Sequence, residues 1–446
     1  MGRDAELRYR VKLLTLLLTT IWQQSWRHVL PRKCRGQCKS LLNLIDTACI
    51  HWSFALMNLS HRITHITPGG SDGWEVFYRA RAMKKAGQQI IELTIGEHDI
   101  RTHQSILDAM HASAKGGHTG YAAVPGTQTL RQAVANRIQM RTGVTTTQDN
   151  IMITPGGQAA LFAAHTAVCD EGDTALYIDP YYATYPGTIR GIGANPKAIP
   201  AYPDHDFQPL STDIAQHAKD AVSLMINTPN NPTGAVYSRE TLQGIADTCV
   251  EHDLWLISDE VYESQLWDGT HISPRALPGM AKRTLVIGSM SKSHAMTGSR
   301  IGWICAPTEV IEHLINLATH TTYGVAGYIQ DAAEFALGEG HTLEDEVSAP
   351  FARRRIITET LLAKQNIVKG SPIQGAMYAM LNISATGLTG EGFANQLLDT
   401  HLIATMPGES FGAAAAGHIR VAMTIDDDTY TSALQTLLDF AATKAA

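Results

Sequence analysis

The chain has 446 residues, 44% of them hydrophobic and 17% charged, a balance that fits an ordinary globular protein with room for roughly two or three domains. A formal net charge of −7 argues against a nucleic-acid partner, and no apolar run approaches the ~18 residues that a membrane span needs. Six cysteines in so long a chain make no disulfide framework; Cys169, Cys249 and Cys305 are scattered singly, as buried thiols in the reducing cytoplasm are.

Residues 1–56 differ from the rest, with nine Lys/Arg against three Asp/Glu, three of the seven Trp and three of the six Cys. No small-residue cleavage site follows the run "LLTLLLTTIW", so a signal peptide is not expected. Cys34 and Cys38 in "CRGQC" have no second ligand pair at a zinc-like spacing. The segment reads as a disordered or spurious extension, and "MNLSHRITHIT" from Met57 reads as a natural start. His61 and His65 lie four apart without an acidic general base between them, as on an ordinary helix face.

Residues 57–104 are expected to form an arm and part of a small domain, 105–330 a large domain, and 331–446 a C-terminal small domain. Within the large domain "NIMIT" leads into "PGGQAALFAAHTAV", and "TALYID" and "AVSLMINT" follow. Next come "ETLQGIADTCVEH" with "LWLISD", then "TLVIGS" and "RIGWICA". Strands alternating with helices predict an α/β fold with a mostly parallel sheet covered on both faces. After residue 331 the chain is helix-rich, then carries "GAMYAMLNI" and "GHIRVAMT", which predicts a smaller α+β domain.

The strand ends carry the chemistry, because in an open α/β sheet the ligand crevice lies beyond them. Gly156 and Gly157 follow the first strand and open a helix, where backbone N–H groups and the helix dipole attract an anion. Ser289, Ser291 and Arg300 can serve the same anion, a phosphate by its donor set; a tight turn and a solvated arginine explain these residues equally well. Tyr182 can stack on a flat ring or belong to the core. Asp259 ends an apolar strand and needs a cationic partner, which a protonated ring nitrogen provides. Asn231, in an Asn-Pro-Thr-Gly turn, and Tyr262 can reach a ring hydroxyl, although the turn alone accounts for the asparagine. With Lys292 in "GSMSKSHAMTGSR" to form an imine, the set describes pyridoxal 5′-phosphate.

The motifs "GGQAAL", "NNPTG", "SDEVY", "SMSKSHAMTGSRIGW" and "PGESFG", in that order, resemble the fold-type-I, pyridoxal-phosphate-dependent aminotransferases of class I/II. The resemblance implies that Lys292 carries the cofactor as an aldimine, Asp259 pairs with the ring nitrogen, and Asn231 and Tyr262 contact the ring hydroxyl. It implies further that Tyr182 stacks on the ring, and that Gly157 and Gln158 backbone groups join Ser289, Ser291 and Arg300 at the phosphate. Arg420 in "GHIRVAMT" matches the arginine for the substrate carboxylate, and Gly96 in "IGEHD" a glycine beside the substrate. Tyr121 in "GYAAVPGTQTLR" matches a tyrosine that reaches the neighbouring subunit's phosphate, which implies a homodimer with shared sites. One departure is His98, where the family usually has proline.

The implied reaction passes the α-amino group of an L-amino acid to a 2-oxo acid by ping-pong chemistry. "GWEVFYRA", "SDEVYESQLWDG" and "AAGHIR" resemble the arginine–pyruvate transaminase branch, which implies a basic donor and pyruvate. A guanidinium substrate wants a carboxylate, for which Asp72, Glu75, Glu97 and Asp99 are candidates. The same cradle serves C–S β-lyases, and a cofactor-binding transcription regulator would use residues 1–56 as its DNA-binding head.

Overall fold

The computed structural model describes residues 59–68 and 73–445; residues 1–56, Cys34, Cys38, Met57 and Asp72 lie outside the described residues. In chain order the strands are β1 (Ile91–Glu92), β2 (Ile151–Thr154), β3 (Thr174–Asp179), β4 (Asn195–Pro200), β5 (Ser223–Asn227), β6 (Trp255–Asp259) and β7 (Thr284–Ser289). They continue as β8 (Gly302–Cys305), β9 (Lys369–Gly370), β10 (Tyr378–Asn382), β11 (Ile403–Ala404), β12 (Met406–Pro407) and β13 (His418–Ala422).

The large sheet has the order β2-β8-β7-β6-β5-β3-β4, and every pair from β7 through to β4 is parallel. Alternate residues face opposite sides, as a strand requires. Met225 and Ile257 pack against the helices Gly157–Val168 and Thr308–Thr319, whereas Leu224, Ile226 and Leu256 face Leu242 and Ile245 on the other side. Both faces are thus covered, which is why β5, β6 and β7 read as continuous apolar runs. The expected mostly parallel α/β architecture is present.

Two strands depart from the sequence expectation. β8 runs antiparallel to both β7 and β2, with Ser289 opposite Gly302. Between them lie only the helix Met290–Ser293 and a 3₁₀ turn over Thr297–Ser299, too little for a crossover, so the chain doubles back. β4, "NPKAIP", was not anticipated because it carries two prolines and exposes Asn195 and Lys197, with Ile199 as its one buried residue. It is an edge strand paired only with β3, where proline is tolerated.

The second layer is an antiparallel sheet of order β12-β13-β10-β9, covered by the helices Thr342–Leu362 and Asp427–Ala445. Its core joins Phe351, Phe393, Tyr430 and Leu434 to Leu381 and Val421 from the strands. β1 pairs in parallel with β11, Ile91 opposite Ile403, so the segment leading to Gly96 belongs to this layer. Among the described residues no helix is long and apolar enough to cross a membrane.

Candidate active site

The carboxyl ends of β2, β3, β5, β6 and β7 meet β13 and the Gly96 loop around a cavity of about 370 Å³. Gly96, Gly157, Gln158, Tyr182, Asn231, Asp259, Tyr262, Ser289, Ser291, Lys292, Arg300 and Arg420 all line it. Gly156 does not line it, although its chain neighbour Gly157 does. Tyr121 does not line it: in the single chain it is 91% exposed, with its ring edge-on to Tyr323.

One corner is built for an anion. Gly156 caps the helix Gly157–Val168 at φ 81°, and a Cβ there would stand 2.4 Å from Arg300 Nη2. Only glycine admits both that backbone and that guanidinium. Gln158's side chain is occupied by Thr184 and Thr188, which leaves its backbone N–H among the unpaired donors of the first helical turn. Ser289 Oγ accepts from the Ser291 N–H at 3.1 Å and stands 3.0 Å from Ser291 Oγ, placing two hydroxyls beside the same turn.

At the floor, Asp259 is buried with no ion-pair partner among the described residues. Its Oδ2 accepts the Tyr185 hydroxyl at 2.7 Å and its Oδ1 the Val261 N–H at 3.3 Å. Burial pushes the carboxyl up to about 6, while both hydrogen bonds pull it down. A cation arriving beside it is therefore strongly favoured.

Lys292 enters from the turn that joins β7 to β8, and its Nζ donates to the Gly96 carbonyl. Burial holds its amine below the usual lysine range, and Arg420 and Arg300 press in the same direction. That makes the amine easier to deprotonate and so more nucleophilic.

Arg420 lies in the middle of β13, 2% exposed and without a carboxylate partner among the described residues. Its Nη1 donates to Asn231 Oδ1 at 2.7 Å, and Nη2 donates to the Thr94 carbonyl. The guanidinium is sandwiched between Tyr378 and Phe411, each ring centroid 4.3 Å away. Nε has no partner among the described residues, and a buried arginine so placed calls for an anion from outside the protein.

Tyr262 and Tyr378 hold their hydroxyls 3.0 Å apart on the cavity wall. Gly96 must be glycine here, since a Cβ would meet the Tyr378 hydroxyl at 1.8 Å. Despite His98 in place of proline, the loop keeps Gly96 on the wall. Of the candidate carboxylates, Glu97 lines the cavity, whereas Asp99 is gripped by Arg354 through Nη1 at 3.0 Å and Nη2 at 2.6 Å. Glu75 sits exposed in the first turn of the helix Glu75–Lys85 and does not line the cavity.

Sequence reasoning missed Tyr185, Tyr378, Asn227 and Trp74, all on the wall. Asn227 had a signal: it is a polar end to the apolar strand β5, and its Oδ1 accepts the Asn231 N–H at 2.7 Å. Tyr185 opens the helix Tyr185–Ile192 three residues after Tyr182, and its N–H donates to the Tyr182 carbonyl at 2.9 Å.

Residues 88–437 match the family of class I and II aminotransferases. The chain is 37% identical over 370 residues to the arginine–pyruvate transaminase of Pseudomonas aeruginosa, covering 83% of this chain and 94% of that one. It is 31% identical over 386 residues to the aspartate/prephenate aminotransferase of Thermus thermophilus, covering 85% and 98%. The solved Thermus thermophilus aspartate aminotransferase with maleate superposes with a TM-score of 0.80 at 30% identity, over 86% of this chain and 99% of that one.

Proposed function

The chain belongs to the class I and II aminotransferases, and from that premise we propose a pyridoxal-phosphate enzyme that carries the α-amino group of a basic L-amino acid, such as arginine, to pyruvate. The observation that carries this reading is a single cavity holding a half-buried amine, a buried carboxylate with no cation paired to it and a buried guanidinium with no anion paired to it among the described residues. The residues fit the cofactor. Asp259 offers its uncompensated carboxylate to a cationic ring nitrogen, and the Gly156 corner with Ser289, Ser291 and Arg300 offers donors to a phosphate. Tyr182 offers a ring face, and Asn231 and Tyr262 offer polar atoms to a ring hydroxyl.

When bound, the cofactor supplies an electron-withdrawing ring that acidifies the substrate Cα–H. Asp259, as carboxylate, holds the proton on the ring nitrogen. Lys292 Nζ takes the proton from the substrate Cα, a role suited to an amine whose basicity burial has reduced. Arg420 clamps the substrate carboxylate through paired N–H donors, and Gly96 leaves room beside it. Tyr182, Tyr378 and Trp74 give the cavity aromatic walls around the reacting carbon.

The basic donor is supported by the Pseudomonas relative and by Glu97 on the wall. We further infer a cytoplasmic homodimer in which Tyr121, exposed in the single chain, reaches the phosphate corner of a second copy. The buried free thiols of Cys169, Cys249 and Cys305 suit that compartment.

Borohydride added after pyridoxal phosphate should fix the label on Lys292. On a separate, unreduced sample, an amino-donor panel with pyruvate should give alanine and the oxo acid of the donor, with arginine among the best. No label on Lys292 overturns the cofactor assignment; ammonia and pyruvate from cystathionine without an acceptor would instead indicate a β-lyase.

A further inference from the structure

The segment after Gly96 is stitched to the lysine turn. Thr102 Oγ1 donates to the Ala295 carbonyl at 2.8 Å, and His98 Nε2 stands 3.0 Å from the Lys292 carbonyl oxygen. A carbonyl only accepts, so Nε2 carries the hydrogen and Nδ1 the lone pair. Gln265 Nε2 donates to the same oxygen at 3.2 Å. This carbonyl belongs to the helix Met290–Ser293, whose end leaves its last C=O groups without intrahelical donors. Side chains from two other segments supply them.

We propose that His98 is a positioning residue for Lys292: together with Gln265 it fixes the lysine's backbone carbonyl, so that the amine can move while its anchor stays still. The proposal rests on Lys292 being the cofactor lysine. The imidazole is suited to this work. It is buried, and its ring meets the edge of Phe351 at 5.4 Å and 71°, which fixes its plane. Burial, then the charge of Lys292, hold it at about 3, so it stays neutral and keeps one tautomer. Proline at this position has no side-chain donor, so the strap belongs to this chain and not to the pattern it otherwise resembles.

The test compares His98→Phe, which keeps the ring against Phe351 but removes the donor, with His98→Gln, which restores one. In cofactor-free protein, amide hydrogen exchange over residues 290–295 should quicken by roughly fivefold or more in His98→Phe, the loss of about one hydrogen bond, and recover in His98→Gln. In loaded enzyme kcat should fall by roughly fivefold to tenfold with the donor KM nearly unchanged, since a displaced lysine affects the proton transfer and not binding. Wild-type exchange and kcat in His98→Phe would overturn the proposal. So would a His98→Gln variant as impaired as His98→Phe, which would reduce the residue to packing. Borohydride labelling of wild-type Lys292 separates the two levels: without label the cofactor assignment fails, and with label but unaltered variants only the strap fails.

Discussion

The hydroxyl of Tyr185, in the helix after β3, donates to Asp259 Oδ2 at the end of β6, with the two heavy atoms 2.7 Å apart. Burial is the larger influence on that carboxyl and drives it up to about 6; the tyrosine opposes it. Tyr185→Phe should therefore raise the carboxyl further and weaken its hold on a cationic ring. The cofactor Kd at pH 7 is expected to rise by about threefold to tenfold, the worth of one charge-assisted hydrogen bond. Equilibrium dialysis of the variant checks this.

Asp259 also sets a pH dependence of stability in the cofactor-free protein. Its folded value of about 6 lies above the ordinary 3.8, so folding favours the protonated form. The stability it contributes is present below about 4 and is lost as pH rises through about 6. Asp259→Asn removes that loss, so the cofactor-free variant should outlast the wild type at pH 8 by on the order of 2–3 kcal/mol and match it near pH 4. Urea unfolding at the two pH values measures it, and equal gains at both would contradict the assignment.

Arg420→Lys keeps a positive charge but loses the planar fork and its fit between Tyr378 and Phe411. The donor KM should rise by roughly tenfold to a hundredfold, while cofactor binding, which Arg420 reaches only through Asn231, should weaken far less. Steady-state kinetics alongside cofactor titration separates the two.

Arg354 ties the Gly96 loop to the second layer. Besides Asp99 it donates through Nε to Asp427 Oδ1 at 2.8 Å and through Nη1 to the Met423 carbonyl at 3.0 Å. Arg354→Met leaves Asp99 without this partner and Asp427 with Arg353 alone, and should cost about 1–2 kcal/mol in chemical unfolding, since both carboxylates keep some contact with water. Lysine should recover little of it, because one ammonium cannot span both acids.

Much of the large sheet was legible because its strands are buried on both faces, and a run such as "LWLIS" has few other homes. The end of β6 announced Asp259, since a charge closing an apolar strand needs a reason, and Lys292 stood out three residues past the end of β7 as a lone charge among small side chains. β4 was hidden by Pro196 and Pro200, and the reversal of β8 by an apolar run that carries no direction. The contacts of His98, Tyr185 and Tyr378 were invisible for another reason. Each depends on which segments meet, as when His98 meets a carbonyl 194 positions away, and local patterning does not encode such encounters.

Lys292 hangs from the large sheet and Arg420 from the smaller one. An amino acid engaged at nitrogen and carboxylate together is thus a cross-brace between two structural blocks. On the proposed roles, a simple amine would reach only one of them and leave the brace unbuilt, so the seating of these two side chains on separate blocks would discriminate between the two ligand classes.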